Sequence, residues 1–420
     1  MRQAEIIDQL ERCSRCGSCM SVCPTYRETG EEGMVARGKL TLIEAFQGEE
    51  LPLSRKFRKL VETCLLCGAC ARHCANGVRP DNLIQWQRSQ LRERGPTSWT
   101  ARLATNTLEA AGQWPRLMGP AASLAQALIC KKIPAESGLH LRFPLAVLSQ
   151  RRYVPRLSHS PFLTKVSDRA LGHGPKVGLF VGCVGNYLFP QISEAILELL
   201  GRCGYQVIVP GDQRCCGMPA WASGDVETAT ALAEHNSRVF LESGCQWVVS
   251  GCGTCSTQLR TRIPELLGGA APGAARFFLQ QSVDLVAFIV GQLSPVVLRR
   301  ALKSPGKVTV GYHDPCHLLH HQSIFEEPRR LLSLLPGVSV ADPSDTHQCC
   351  GHGGLFNIRN YRLSSQIGLR SISRFDKSGS DVLATACMGC LMQLQESNWR
   401  HNAGLTVCHL VEVVTGRVAT

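Results

Sequence analysis

The sequence predicts a mixed α+β and α/β fold: a helical, cysteine-rich N-terminal domain, a helical connector and two duplicated α/β modules. Three observations predict it, namely dense cysteine motifs at the N-terminus, a cysteine-poor stretch after them, and an internal repeat in the remainder. We place the domains at residues 1–90, 91–172, 173–304 and 305–420. With 420 residues, the chain exceeds what one hydrophobic core uses, which agrees with several domains.

Cysteine is the residue type that departs most from an average composition. Most of the 22 cysteines lie in C-x-x-C spacings or adjacent pairs, which suits metal ligation better than the disulfide framework of a small secreted domain. The apolar share of 44% and the charged share of 19% are those of a globular protein. Because the N-terminus lacks a basic segment followed by an apolar one, we expect a cytoplasmic protein.

Two apolar stretches, residues 117–130 and 283–293, are the longest in the chain. A helix that spans a membrane needs about 20 apolar residues, so both stretches are too short. We interpret them as core or interface helices.

Two cysteine runs in the N-terminal domain share the spacing C-x2-C-x2-C-x3-C of bacterial ferredoxins. The first run consists of Cys13, Cys16, Cys19 and Cys23, and the second of Cys64, Cys67, Cys70 and Cys74. Pro24 follows the first run, but Ala75 takes this place after the second. Zinc and disulfides are the alternatives, yet zinc sites normally combine C-x2-C pairs. The spacing therefore predicts two cubane 4Fe-4S clusters.

The fourth cysteine of each such run ligates the neighbouring cluster, because the turn carries it away from the first three. The ligand sets that we assign on this basis are Cys13, Cys16, Cys19 and Cys74 for one cluster, and Cys64, Cys67, Cys70 and Cys23 for the other. Between the runs, Arg37 and Lys39 are either cations that stabilise reduced clusters or ordinary solvated charges.

Residues 91–172 contain one cysteine, Cys130, together with many leucine, alanine and arginine residues and several prolines. This composition favours helices that prolines interrupt. We predict a connector of broken helices.

Five cysteines recur in the same order in the C-terminal part of the chain. The first copy has Cys183, Cys215, Cys216, Cys252 and Cys255, and the second has Cys316, Cys349, Cys350, Cys387 and Cys390. The offset is close to 133 residues throughout. Five cysteines that repeat with near-equal gaps indicate the duplication of one module.

Apolar runs that alternate with a helical pattern give each copy α/β character. The predicted strands are 176–181, 205–209 and 247–249 in the first copy, with a helix at 192–200, and 308–310, 337–340 and 382–384 in the second. Such alternation predicts a parallel or mixed sheet, with ligands beyond the carboxyl ends of its strands. Cysteines follow the predicted strands.

Each module has two adjacent cysteines followed by a glycine, Gly217 or Gly351. A glycine permits a tight turn with positive φ, which directs both sulfurs toward one site. With the remote cysteine and the distal C-x-x-C pair, each module has five thiolates, one more than a cubane needs. The surplus indicates an unusual cluster or a cysteine that is free for redox chemistry.

Histidines crowd the second module, where they could ligate metal, relay protons or donate hydrogen bonds to sulfur. They are His313, His317, His320, His321, His347 and His352. Because the thiolates already suffice as ligands, we expect the histidines to contact the ligating cysteines and not to bind the metal themselves. Cysteines outside every motif are interpreted as packing residues. These are Cys130, Cys203, Cys245 and Cys408.

The repeated cysteines resemble the cysteine-rich CCG domain of heterodisulfide reductase. The whole chain, from about Cys13 to Leu410, resembles the iron–sulfur subunit of glycolate oxidase and its D-lactate dehydrogenase relatives. The first resemblance implies one or two further 4Fe-4S clusters of the noncubane type, held by the ten module cysteines. The second implies an electron-transfer subunit of an oxidoreductase whose FAD lies on a partner dehydrogenase.

No nucleotide-binding glycine motif or nucleophile elbow is evident, so we expect the oxidation of a 2-hydroxyacid, glycolate or lactate, to occur on that partner. Electrons would then reach a quinone, a cytochrome or another acceptor. Association with the inner face of the cytoplasmic membrane through partners is an alternative location. A chain that reduces a disulfide at a CCG-bound cluster, as in heterodisulfide reductase, is the alternative function.

The formal net charge of +12 prompts a third hypothesis, a zinc-bearing scaffold or nucleic-acid binder. No nucleic-acid-binding motif accompanies the charge, so we expect no nucleic-acid partner. A 4Fe-4S core with four thiolates carries about two negative charges, so bound clusters would offset much of the excess.

Overall fold

The structure, a computed structural model, describes residues 3–94, 130–132, 138–141, 154–166, 168–343 and 348–418. The N-terminal domain consists of helices, as the sequence predicts. They are Gln3–Glu11, Pro24–Thr29, Ala36–Gln47, Arg55–Glu62, Ala69–Arg72 and Pro80–Glu93, with 3₁₀ turns at Ser18–Met20 and Glu32–Met34. Pro24 and Pro80 stand at the first helical position, where a missing N–H costs nothing. Pro24 thus starts a helix immediately after Cys23.

The connector differs from the prediction of broken helices, because its described residues include four short strands besides helical segments. Strands β1 (Cys130–Lys132), β2 (Gly138–Leu141) and β3 (Val154–Pro155) form an antiparallel sheet. The helix Phe162–Val166 and strand β4 (Arg169–Leu171) follow. Val154 precedes a proline and is thereby biased toward extended backbone. The helical prediction is therefore wrong for these strands, while residues 95–129 lie outside the described residues.

The first module contains a five-stranded sheet in the order β4-β6-β5-β7-β8. Its central strands are parallel, and only β4 runs antiparallel, at the edge. The strands after β4 are β5 (Lys176–Leu179), β6 (Gln206–Val209), β7 (Trp247–Ser250) and β8 (Ser282–Asp284). The helices are Gly182–Tyr187, Pro190–Arg202, Met218–Ser223, Val226–Glu242, Gly253–Thr257, Ile263–Leu267, Pro272–Gln281, Leu285–Gln292 and Pro295–Ala301, with a π-helical turn at Gln258–Arg262.

The second module repeats this topology with a parallel four-stranded sheet in the order β10-β9-β11-β12. Its strands are β9 (Val308–His313), β10 (Val338–Val340), β11 (Val382–Thr385) and β12 (Thr406–His409). The helices are Cys316–Gln322, Glu326–Ser333, Leu355–Arg359, Tyr361–Lys377, Met388–His401 and Leu410–Val414. Every strand predicted in the two modules is present, although β9 extends three residues beyond its predicted end.

One apolar core runs through the N-terminal domain and both modules. Leu83, Val177 and Val310, one from each of these parts, are fully buried in the same cluster of side chains. The apolar stretch 283–293 is the end of β8 and the helix Leu285–Gln292, whereas most of 117–130 lies outside the described residues. No helix among the described residues is both long enough and apolar enough to cross a membrane.

Candidate metal centres

Four cysteines of the N-terminal domain line a small cavity of about 30 Å³. Cys64, Cys67 and Cys70 come from the second run, and Cys23 comes from the first. The crossover set that we predicted for one cluster is therefore brought together, although the ligation itself stays a prediction. Lys39 lines the same cavity with only 1% of its surface exposed, and its Nζ donates to the carbonyl of Gly33 at 2.9 Å. Burial lowers the pKa of Lys39, and the nearby thiolates oppose this.

The other N-terminal set lies closer to the surface, and the Cys16 residue is exposed. Asn76, two residues after Cys74, donates to the carbonyl of Arg12 at 2.8 Å, which fastens the end of the second run beside the start of the first. Arg37 lies over this loop, because its Nη1 donates to the carbonyl of Arg15 at 3.3 Å. Arg37 also binds both carboxylate oxygens of Glu32, so it is a paired surface cation.

All ten module cysteines line a single cavity between the two modules, with a volume of about 160 Å³. They are Cys183, Cys215, Cys216, Cys252, Cys255, Cys316, Cys349, Cys350, Cys387 and Cys390. The Sγ atoms of Cys252 and Cys387, which belong to different modules, are 3.9 Å apart. Within the second module, the Sγ atoms of Cys350 and Cys390 are 3.3 Å apart. The two predicted sites thus face each other across one space.

The ends of the parallel strands place these cysteines. Cys252 follows β7 and caps the helix Gly253–Thr257, and Cys387 follows β11 and caps the helix Met388–His401. Gly217 and Gly351 have φ angles of 89° and 90°, the positive-φ turn that the sequence predicts after each cysteine pair. Both modules therefore direct their sulfurs toward the same edge of their sheets.

Mutual hydrogen bonds perturb the thiols of this cavity. The Cys183 thiol donates to Cys215 and holds the pKa of Cys215 well below its usual range. Cys252 does the same to Cys387 across the module boundary. Cys349 lowers the pKa of Cys350 to about 6. Each module therefore has thiols that readily become thiolates, the form that binds metal.

This donor set fits iron–sulfur clusters. The described cysteines are all free thiols, and the motif cysteines of each module converge in numbers that a single zinc ion does not need. The lining of the cavity is mostly apolar, with Val181, Val184, Met388 and Met392 among its side chains. Soft sulfur donors in apolar surroundings are the environment that proteins provide for such clusters.

Of the predicted histidines, His317 and His352 line the cavity. The Nδ1 atom of His317 lies 2.9 Å from the hydroxyl of Thr254, which lies 3.4 Å from the Sγ atom of Cys387. His321 instead packs against Gly68 of the N-terminal domain. His313 approaches Cys350 and Cys390. His347 lies outside the described residues.

Sequence reasoning missed three charged residues that line the cavity, Glu62, Arg88 and Arg359. Arg88 is fully enclosed and donates hydrogen bonds to the carbonyls of Val61, Glu62 and Cys64 in its own domain. It also donates to the carbonyl of Ala222 in the first module, at 2.7 Å. No local motif marks Arg88, because its partners are backbone atoms brought together only by the fold.

The N-terminal domain contacts the second module through an apolar cluster that contains two motif cysteines. Leu65, Cys67 and Ala69 pack against Cys349, Phe356 and Ile367. Arg72 closes one side of this contact, since it donates to the carbonyl of Leu319 and its guanidinium lies 5.5 Å from the ring centre of Phe325.

Comparison with known proteins agrees with this geometry. Residues 9–78 match the 4Fe-4S dicluster domain, and residues 177–260 and 310–395 each match the cysteine-rich CCG domain. A crystal structure of a hypothetical protein from Helicobacter pylori covers 99% of this chain and 72% of its own, with a TM-score of 0.55 and 10% identity, which shows a shared fold. The chain is thus an iron–sulfur protein with one dicluster domain and two cysteine-rich domains.

Three relatives narrow the class. The chain is 32% identical over 247 residues to lactate utilization protein A of Exiguobacterium sp., covering 57% of this chain and 97% of that protein. It is 28% identical to a probable glycolate oxidase iron-sulfur subunit of Bacillus subtilis, over 92% and 88% of the two chains. It is 26% identical to a heterodisulfide reductase subunit of Methanosarcina acetivorans, over 97% and 93%. The chain belongs to the family of iron–sulfur oxidoreductase subunits that includes lactate utilization protein A.

Proposed function

We propose that the chain is an electron-transfer subunit that accepts electrons from a partner FAD-dependent dehydrogenase of a 2-hydroxyacid, glycolate or lactate, and passes them to a quinone or another acceptor. The observation that carries this proposal is that Cys67 and Cys349 belong to one cluster of packed, buried side chains. A dicluster domain and a cysteine-rich module share this contact. When bound, iron–sulfur clusters supply one-electron transfer between neighbouring sites.

The residues at this contact hold the two domains in a close, dry arrangement. Leu65 and Phe356 are 8% and 4% exposed, so their packing excludes water from the space beside both cysteines. Gly353 faces Leu65, and a Cβ atom there would approach the Leu65 Cδ2 atom to 2.5 Å. Only a residue without a side chain permits this approach. The interface thus keeps the sites of the N-terminal domain and of the second module close together.

The exposed Cys16 supports entry of electrons at the other end of the N-terminal domain. Arg12, Arg15 and Arg37 lie close by in the chain or in space, and each forms an ion pair with a carboxylate, that of Asp8, Glu44 or Glu32, so charges of both signs border Cys16. The relatives are named as subunits of a glycolate oxidase and a heterodisulfide reductase, which supports a partner protein at such a surface. We propose that the partner flavoprotein docks beside Cys16.

The test uses the complex purified without oxygen together with its flavoprotein. Addition of glycolate or lactate should bleach the visible absorbance of the clusters at least as fast as the complex turns over the substrate with an electron acceptor. If neither substrate bleaches it, although dithionite does, the 2-hydroxyacid assignment is wrong.

The Arg72→Ala variant tests the route between the domains. It should slow reduction of the module sites while leaving iron content and reduction of the N-terminal sites unchanged. Arg55→Ala, at an exposed position of the helix Arg55–Glu62, is the matched control. Equal rates in both variants would contradict the proposed route.

The cavity between the modules favours a second candidate, the reduction of a disulfide. Ten cysteines surround one cavity, and the charged side chains of Arg88 and Arg359 also line it. A disulfide that enters takes up two electrons and two protons, its S–S bond breaks and two thiols leave. The test is anaerobic incubation of the prereduced protein with glutathione disulfide and, separately, with a mixed disulfide of two different thiols. Release of two thiols per disulfide supports this candidate, and absence of thiol above the rate without protein rejects it for these substrates.

A further inference from the structure

The side chain of His313 is fully buried at the end of β9, yet neither ring nitrogen has a hydrogen-bond partner among the described residues. A buried polar group that is left unpaired destabilises the folded state. The backbone carbonyl of His313 is engaged, since Thr385 Oγ1 donates to it at 3.2 Å. The ring edge contacts Phe375, with ring centres 6.4 Å apart. A ring N–H at this place therefore needs an acceptor other than the backbone or the neighbouring aromatic ring.

Two motif sulfurs lie where such an acceptor is needed. One ring nitrogen of His313 and the Sγ atoms of Cys350 and Cys390 all lie within 4.8 Å of one another. Both cysteines belong to the five that we assign to the second-module cluster. Because five thiolates already exceed the needs of a cubane, His313 is not required as a ligand, and its ring N–H is available to donate to sulfur instead.

The first module places a hydrocarbon side chain at the equivalent position. Three residues before Cys183 stands Phe180, as His313 stands three residues before Cys316. Phe180 is equally buried and packs against the ring of Phe240, with ring centres 5.7 Å apart. Its ring and Cys255 both lie next to Gly182, because a Cβ atom there would be 2.9 Å from the Cys255 Sγ atom and 3.7 Å from the Phe180 Cε1 atom. The two modules thus place a donor and a hydrocarbon beside equivalent sulfurs.

We propose that His313 is a positioning residue whose ring N–H donates to the thiolate sulfurs of Cys350 and Cys390 and raises the reduction potential of the second-module site above that of the first. A hydrogen bond to sulfur stabilises the reduced site, which carries more negative charge. Electrons therefore collect in the second module, next to its contact with the N-terminal domain. This inference rests on the proposed iron–sulfur sites, but not on the identity of the electron donor or acceptor.

The experiment compares His313→Phe, which copies the first module, with His313→Asn and His313→Gln, whose amide nitrogens stand near the positions of Nδ1 and Nε2. Each full-length protein is purified without oxygen, its iron and sulfide per chain are measured, and its clusters are titrated potentiometrically with detection by paramagnetic resonance. His313→Phe should keep the iron content and shift one midpoint potential to a lower value. At least one amide variant should restore much of this potential.

A reciprocal variant covers the case in which His313→Phe does not fold. Phe180→His introduces a donor beside Cys255 and should raise the potential of the first-module site, which narrows the difference between the modules. Unchanged midpoint potentials in both variants at full iron content would overturn the proposal. Loss of iron or altered g-values in every His313 variant would overturn it as well, because His313 would then be a ligand. A wild-type protein without iron would instead overturn the proposed function.

Discussion

The two cysteine-rich modules share a backbone but differ in the chemistry around their sulfurs. Both have the strand order in which the first parallel strand lies between the second and the third, and both place five cysteines on one cavity. Around those cysteines, the first module has Phe180 and Met218 where the second has His313 and His352. The duplication has thus preserved the thiolates and the sheet, and has changed the polarity of their neighbours.

This difference indicates a division of labour between two similar sites. Reduction potentials of iron–sulfur clusters depend on hydrogen bonds and burial as well as on the ligands. A module with hydrocarbon neighbours and one with imidazole neighbours can therefore hold electrons at different potentials while keeping one fold. Variants that remove or exchange the differing residues test this view directly.

The largest expected effect is the loss of one site without the other. Cys216→Ser and Cys350→Ser each remove one of five thiolates from a single module, and each should lower the iron content by up to about four atoms per chain. Iron and acid-labile sulfide, measured on protein purified without oxygen, check the result. Cys203→Ser, which changes a buried thiol outside the motifs, should leave the iron content unchanged. Equal iron in all three variants would remove the basis for two module sites.

The next effect concerns how the N-terminal domain is held by each module. Arg88 joins it to the first module through the carbonyl of Ala222, whereas the second module holds it through an apolar cluster, the Arg72 hydrogen bond to Leu319 and the Arg370–Glu28 ion pair. Arg88→Met leaves several buried carbonyls without a donor, so we expect destabilisation of about 3 kcal/mol or more. Thermal unfolding of the cluster-loaded protein measures this, with Arg55→Met as an exposed control. If the melting temperature of Arg88→Met equals that of the control, the buried hydrogen bonds contribute nothing.

Much of this organisation is predictable from the sequence because it is encoded locally. Cysteine spacing marks the motifs, and short apolar runs such as 176–181 and 382–384 mark strands that the structure contains. The positive-φ turns at Gly217 and Gly351 follow from the residue type alone. Local signals of this kind survive duplication, which is why both copies could be aligned.

Features that depend on distant residues were not predictable. The cluster that contains Cys67 and Cys349 joins segments far apart in the chain, and Arg88 binds carbonyls that no pattern marks. The histidines of the second module were noticed, but the sequence could not distinguish His313, which approaches two sulfurs, from His321, which packs against Gly68. The composition of the connector favours helices, yet pairing with β6 makes Arg169–Leu171 a strand.

Two helices at the boundary between the modules are capped by titratable side chains of opposite type, one a carboxylic acid and the other an imidazole. Asp284 ends β8 and accepts a hydrogen bond from the N–H of Val286, while His409 ends β12 and accepts one from the N–H of Val411. Both line one small cavity with Gly251, whose carbonyl accepts a hydrogen bond from His409. Burial raises the pKa of Asp284 to about 7 and lowers that of His409 to about 4. The negative charge of the Cys387 thiolate raises the pKa of both groups, and that of Glu327 raises the pKa of Asp284.

These two caps should give opposite slopes of stability against pH. Between about pH 4 and 7 the folded protein retains the Asp284 proton that the unfolded chain has lost, so stability falls as pH rises. Between about pH 4 and 6.5 the unfolded chain binds a proton at His409 that the folded protein rejects, so stability rises with pH. Each contribution amounts to at most about 3–4 kcal/mol.

Replacing one of the two caps should therefore leave only the pH dependence of stability that the other cap causes. Asp284→Asn should make the protein lose more stability on acidification from about pH 6.5 to 4 than the wild type loses. His409→Asn should reverse this trend, since only the Asp284 slope remains. Denaturant unfolding at a series of pH values measures both. Parallel pH profiles for the two variants would show that the caps do not titrate as described.

The smallest expected effect is at a thiol whose counterpart in the second module is already a serine. Cys245 packs over Gly178, where a Cβ atom would meet its Sγ at 2.8 Å, and Ser380 packs over Gly311, where a Cβ atom would meet its Oγ at 2.6 Å. Ser380 donates to the carbonyl of Ala341, and the carbonyl of Phe240, 3.7 Å from the Cys245 sulfur, is an acceptor within reach of residue 245.

Cys245→Ser should therefore change the free energy of unfolding by about 1 kcal/mol or less, because the new hydroxyl has an acceptor within reach. Iron content and both module potentials should stay at their wild-type values. Cys245→Val, which adds a methyl group against Gly178 and the Phe240 ring, provides the contrast and should cost about 1–3 kcal/mol through overpacking. If Cys245→Ser lowered the iron content, Cys245 would belong to the first-module site, and the two modules would differ in their thiolates as well as in the neighbours of those thiolates.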